Sequence, residues 1–161
     1  MRLDKELPGK LGNPDITMAK DPRLDRRLAQ ALASIPMTQA SIAIDAQSSY
    51  EDILAYCKEA EDLGREIHPL MMSAMPSFPT VTTETVVITG SDGNSINLYI
   101  HTPNTSRSNT PCIVHTHGGG MAFLTATDPT YVRWRNSLAE LGLVVVVVEF
   151  RNAAGRLGNH P

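Results

Sequence analysis

Three consecutive glycines, Gly118-Gly119-Gly120, stand directly after His117 at the end of a short run, Cys112 to Thr116. Without Cβ atoms the backbone turns sharply at such a place and aims successive N–H groups into one small space. Two such donors about 3 Å from a carbonyl oxygen form an oxyanion hole, which stabilises the negative charge that develops when an ester carbonyl is attacked. A glycine-rich turn also serves as a plain tight loop, and the residues by themselves leave both readings open.

Other chemistries find less support. His115 and His117 project to one side of a strand end, but with only His101 and scattered acids nearby they fall short of the ligands zinc needs. No Gly-x-Gly-x-x-Gly opens a helix and no lysine follows the glycines, which argues against a dinucleotide or P-loop site. Cys57 and Cys112 fit an apolar helix face and a strand, so neither is a proposed nucleophile. Two cysteines exclude a disulfide scaffold and a multi-cysteine zinc module. No metal or cofactor is expected. Asn104-Thr105-Ser106 is a glycosylation sequon in a polar loop.

The elements that must position the glycines are legible by their periods. Asp21-Pro22 reads as a helix start, and Leu24, Leu28, Ala31, Leu32 and Ile35 recur at helical spacing up to Pro36. Ser49 with Asp52 resembles a capping box, and Ile53, Cys57, Ala60, Leu63 and Ile67 line one face of a second helix, 49–68. Met71, Met72 and Met75 follow, before Pro76 and Pro79. The period then changes. Val81 to Thr89 favours pleated sheet, Gly90-Ser91-Asp92-Gly93 is a turn, and Ile96, Leu98 and Ile100 alternate beyond it, so a β-hairpin is expected. Asp128-Pro129 starts a further helix with Tyr131, Trp134, Leu138 and Leu141 on one face, and Gly142 ends it. Leu143 to Phe150 is nearly continuous apolar strand, as in a sheet covered on both faces. Strand, helix and strand in that order form a βαβ unit of a mostly parallel sheet, an α/β fold.

Composition agrees. The 161 residues fit one domain by length, and 42% are hydrophobic, enough for a core. Residues 1–75 carry nine Lys+Arg and twelve Asp+Glu, whereas 76–161 carry five of each. A solvated helical layer is therefore set against a buried strand layer. The net charge of −3 gives no basic footprint, so nucleic acid is not an expected partner. The first residues are charged with no apolar stretch behind them, and the run Leu143–Val148 is too short for a membrane span. The expected location is the cytoplasm.

The segment 112–161 resembles the hormone-sensitive-lipase-like, or fold-3, branch of the α/β-hydrolases. That signature is H-G-G-G after the third strand, then a helix, a Val-rich strand and a D-Y-R-like motif. They stand here as His117–Gly120, the helix from Asp128, the strand 143–148 and Glu149-Phe150-Arg151. The stretch to His160-Pro161 looks like the loop that ends in H-P-x-P. Two positions depart from the pattern: Met121 replaces an aromatic, with Phe123 two residues later, and Asp128-Pro129 replaces Ser/Thr-His. The resemblance implies a carboxylic ester hydrolase without cofactor, acting on small-molecule esters. It makes the N–H groups of Gly119 and Gly120 the oxyanion donors, Gly118 the residue that permits the turn, and His117 a loop-shaping residue rather than the base. Arg151 would pair with acidic or backbone groups beneath the loop, with Glu149 beside it. Met121, Phe123 and Met75 are the candidates for the acyl pocket. The implied organisation is an N-terminal arm, 1–20, helical cap segments, 21–79, and the first part of the hydrolase core, 80–161.

The nucleophile is not visible. No G-x-S-x-G elbow occurs, nor S-x-x-K. In the family that serine follows a fifth strand, which pairs with strand three. The expectation is therefore an N-terminal fragment that holds the oxyanion hole without the triad, is inactive alone, and exposes the edge of strand 112–116. The competing expectation is a non-catalytic relative that binds a ligand or partner.

Overall fold

The computed structural model describes residues 13, 15–16, 20–33 and 44–153. The chain divides into two compact units, Met1–Gln39 and Ala40–Pro161.

In the first unit the described helix is α1 (Arg26–Ala33). The expected start at Asp21-Pro22 is a turn instead, with the Leu24 N–H bonded to the Asp21 carbonyl at 3.1 Å. Asp25 is the effective cap. Its carboxylate accepts from the Arg27 N–H at 2.8 Å and its carbonyl from the Ala29 N–H at 2.9 Å. An acid at that point satisfies amide groups that the helix itself leaves open. The expected end at Ile35 and Pro36 lies outside the described residues, as do the stretch 1–12 of the expected arm and the part 154–161 of the H-P-x-P-like loop.

The second unit opens with α2 (Tyr50–Met72). Ser49 caps it: its Oγ accepts from the Asp52 N–H at 3.1 Å and donates to the Asp52 carboxylate at 2.8 Å. The helix runs four residues past the expected end, carrying Pro69 within it. Cys57 and Ile67 are buried as expected, and Glu61 and Gly64 share the buried stripe with them.

The hairpin consists of β1 (Val81–Thr89) and β2 (Ser95–Pro103), followed by β3 (Cys112–Thr116), α3 (Pro129–Glu140) and β4 (Val144–Val148). The sheet order is β1-β2-β4-β3, with β4 antiparallel to β2 and parallel to β3. The βαβ unit is therefore present. The register puts Tyr99, His101, Ile113, His115, Val145 and Val147 on one face. That face meets α3, and Val145 and Val147 are fully buried there. On the opposite face of the sheet β4 is only half-buried, and Val114 of β3 is 70% exposed. The expected cover on both faces is thus found on one, because among the described residues α3 packs on that side alone. β3 is an outer strand of the described sheet.

The expected apolar face of α3 also needs correction. Trp134 and Leu141 are exposed, and the fully buried positions are Arg135 and Ala139. The helix is turned so that a charged residue enters the core, where buried acceptors receive it.

Candidate functional site

The glycine turn begins where β3 ends. Its shape is set by positive φ angles at Gly119 (112°) and Gly120 (61°), and by two further ones at Met121 (59°) and Leu124 (69°). At Gly119 any side chain would force the turn to shift: a Cβ there would lie 1.9 Å from the Phe123 carbonyl oxygen. The Gly119 carbonyl accepts from the N–H groups of Ala122 and Phe123, at 3.0 and 3.2 Å, closing a tight turn. Among the described residues no acceptor takes the N–H of Gly119 or Gly120. These two donors lie side by side in the turn, that of Gly119 in a half-buried residue and that of Gly120 in an exposed one. Gly118 lies against Tyr131, whose hydroxyl would be 2.5 Å from a Cβ at that position.

The turn is held from below. His117 is buried, with its ring stacked on Phe150 at 4.2 Å between centroids and 9° between planes. Its Nδ1 lies 2.8 Å from the Gly118 carbonyl, which makes that nitrogen the donor, and its Nε2 is 3.5 Å from Glu149. Glu149, buried at the end of β4, accepts from the Ala126 N–H at 3.0 Å. Arg135 donates to the carbonyl of the same residue at 2.5 Å. Leu124 is gripped in the same way: its N–H donates to Glu61 at 2.8 Å and its carbonyl accepts from Asn152 at 3.0 Å. Four side chains from α2, α3 and the end of β4 thus fix both faces of two loop residues. Glu61, Arg135 and Asn152 were not found in the sequence. For Glu61 and Arg135 the one signal was a charged residue at a core-facing helical position, as with Arg135 between Val132 and Leu138, and Asn152 carried none.

Around Arg135 two of the three guanidinium nitrogens have partners, Nε and Nη2. Its Nε donates to His101 Nε2 at 2.9 Å. His101 Nδ1 faces Asn136 Oδ1 at 2.6 Å, so it carries the hydrogen and the imidazole is neutral. Burial, opposed by the Asn136 bond and aided by the Arg135 charge, pushes the His101 value below its usual one. Burial and the Arg135 charge do the same to His115. Burial also lowers the Arg135 guanidinium to about 10, against the pull of Glu149.

The remaining candidates sit as follows. Met121 is 73% exposed, and its carbonyl accepts from the Ala153 N–H at 2.8 Å. Phe123 is half-buried, with its carbonyl against Gly119. Met75 is exposed in the turn after α2; next to it the Pro76 carbonyl accepts from Arg133 at 2.7 Å. Arg151 pairs with Asp92 of the hairpin turn at 2.6 Å. A cleft of about 290 Å³ opens beside the loop, lined by Glu61, Arg65, Leu124, Thr125 and Asp128 among others. His68 Nδ1 lies 2.7 Å from Asp128 Oδ1. Among the described residues no cluster of side chains has the make-up of a metal site, and no helix is long and apolar enough to cross a membrane.

No protein-family model matches the chain, and no curated protein does. Solved structures do. Brefeldin A esterase, a bacterial homologue of human hormone-sensitive lipase, is 34% identical with a TM-score of 0.77, over 96% of this chain and 44% of its own. In sequence and fold the chain is similar to the hormone-sensitive-lipase-like branch of the α/β-hydrolases. Esterase Est22 is 28% identical (TM-score 0.65), over 85% of this chain and 40% of its own. A bacterial heroin esterase is 29% identical (TM-score 0.57), over 81% and 37%. This hydrolase-fold chain therefore spans less than half the length of each of these relatives. Its sheet of β1-β2-β4-β3 with α3 is a partial α/β-hydrolase fold.

Proposed function

We propose that this chain supplies the oxyanion hole of a carboxylic ester hydrolase. The observation that carries the reading is the pair of neighbouring N–H groups, at Gly119 and Gly120, left without an acceptor among the described residues in a turn closed from behind. The fold of the esterase relatives supports it. Attack of a serine alkoxide on the ester carbonyl would give a tetrahedral oxyanion, and the two N–H groups would receive it. Collapse would release the alcohol and leave an acyl-enzyme, which water then opens. Gly118 allows the turn, His117 and Glu149 shape it from below, and Met121 and Phe123 border the acyl side. The serine, its base and its acid are not among the motifs of these 161 residues, so the chain alone is expected to be inactive. The substrate class is small carboxylic esters.

The test is a chimera in which this chain replaces the matching part of brefeldin A esterase. We expect it to hydrolyse a p-nitrophenyl ester. Gly119→Pro in the chimera removes a donor and should lower kcat by roughly 100- to 1,000-fold. An active chimera whose kcat is untouched by Gly119→Pro refutes the assignment.

A further inference from the structure

Arg135 is fully buried, and the glycine motif does not account for it. A buried guanidinium is retained only where hydrogen bonds and an opposite charge receive it. Here His101, neutral by its own bonding, seats the Nε, while the Nη2 holds the Ala126 carbonyl. Nη1 is buried with no hydrogen-bond partner. The buried acid that answers this cation is Glu149, and it holds the N–H of the same Ala126. One loop residue thus joins two opposite charges, one from α3 and one from the end of β4.

We propose that Arg135 is a positioning residue for the glycine turn, acting together with Glu149 through Ala126. The path is short. Ala126 and Leu124 are both fixed at N–H and carbonyl, and the Phe123 carbonyl just before them abuts Gly119. A shift of Ala126 therefore reaches the turn that aims the Gly119 and Gly120 N–H groups. The clamp stands on geometry alone, whereas its consequence for ester hydrolysis rests on the function proposed above.

A charge clamp behaves differently from a space-filling side chain. Arg135→Met leaves the Glu149 carboxylate buried without its cation, so it should shift the unfolding equilibrium by about a hundredfold or more. Glu149→Gln keeps an acceptor for the Ala126 N–H and removes the charge. The double variant should recover about tenfold or more over Arg135→Met, since no charge is left uncompensated. Urea unfolding of the 161-residue chain and its three variants gives these numbers. Amide exchange gives the second readout: the Ala126 N–H should lose protection in Arg135→Met while the Val145 N–H on β4 keeps it. If Arg135→Met does not fold, folding of the double variant supports the proposal. Additive losses, a double variant no better than Arg135→Met, or an Ala126 amide as protected as in the parent overturn it. None of these readouts uses ester turnover, so failure of the clamp and failure of the hydrolytic reading are distinguishable.

Discussion

Gly119→Ala and Gly120→Ala should differ sharply, although they are adjacent and add the same methyl group. At Gly120 the φ is 61°, near the left-handed well, and a Cβ would meet nothing within 4 Å. The cost there is the chirality penalty alone, about 1 kcal/mol. At Gly119 the φ of 112° lies outside that well. Strain of this kind costs roughly 1–3 kcal/mol. The new Cβ would also lie 1.9 Å from the Phe123 carbonyl oxygen. Backbone cannot yield as a flexible side chain does, so the turn must open. That breaks the bonds from Ala122 and Phe123 to the Gly119 carbonyl, each a net contribution of about 1 kcal/mol. Opening relieves part of the strain, so the total is about 3 kcal/mol. With a urea m-value of about 1–3 kcal/mol/M, the unfolding midpoint should fall by roughly 1–3 M for Gly119→Ala and by about a third of that for Gly120→Ala. Equal midpoints for the two variants would refute the claim that the Phe123 carbonyl confines Gly119.

Acid should destabilise the chain. His101 and His115 are held below their usual value of 6.5, chiefly by burial. The folded state then binds fewer protons than the unfolded one just below pH 6.5. Stability is full above that pH and declines as pH falls toward the lowered folded values. The Tm should be lower at pH 5.5 than at 7.5, and His101→Gln should flatten the difference; an unchanged slope would contradict the assignment to His101. At the sheet edge, Val114 is 70% exposed on an outer strand. Val114→Lys should raise the concentration at which light scattering appears without lowering the unfolding midpoint, because an edge charge opposes strand-to-strand association; scattering that starts at the parent's concentration would count against it.

Much of the scaffold was legible because each element obeyed one local rule. The hairpin, β3, the Asp128 cap and β4 follow from alternation, turn residues and a capping acid, all of which act within a few residues. The failures came where two local signals compete or where partners lie far apart in sequence. Asp21-Pro22 carries a good local start signal, yet Asp25 is an equally good acceptor one turn nearer the apolar positions, and it wins. For α3 the apolar stripe through Trp134 and Leu141 was the natural inward face by hydrophobicity. The structure buries Arg135 instead. Its reception depends on His101 in β2 and on the Ala126 carbonyl in the loop, 34 and 9 residues away.

That failure bears on function. The glycines declare a turn able to present donors, but nothing local to them says where the donors point. Their direction is fixed by Phe123, Leu124 and Ala126, which are fixed in turn by Glu61, Glu149, Asn152 and Arg135. Three of those four lie outside the motif that carries the family resemblance. A buried ionic clamp is a poor source of stability, since well-packed apolar residues of similar volume often do as well or better. Its advantage is direction: a carboxylate and a guanidinium each fix one backbone group of the same residue, which apolar packing does not. A preorganised oxyanion hole needs donors that stay aimed before charge develops. The cost of burying Arg135 is therefore best understood as serving the geometry of the turn, and the motif and its distant clamp form one unit.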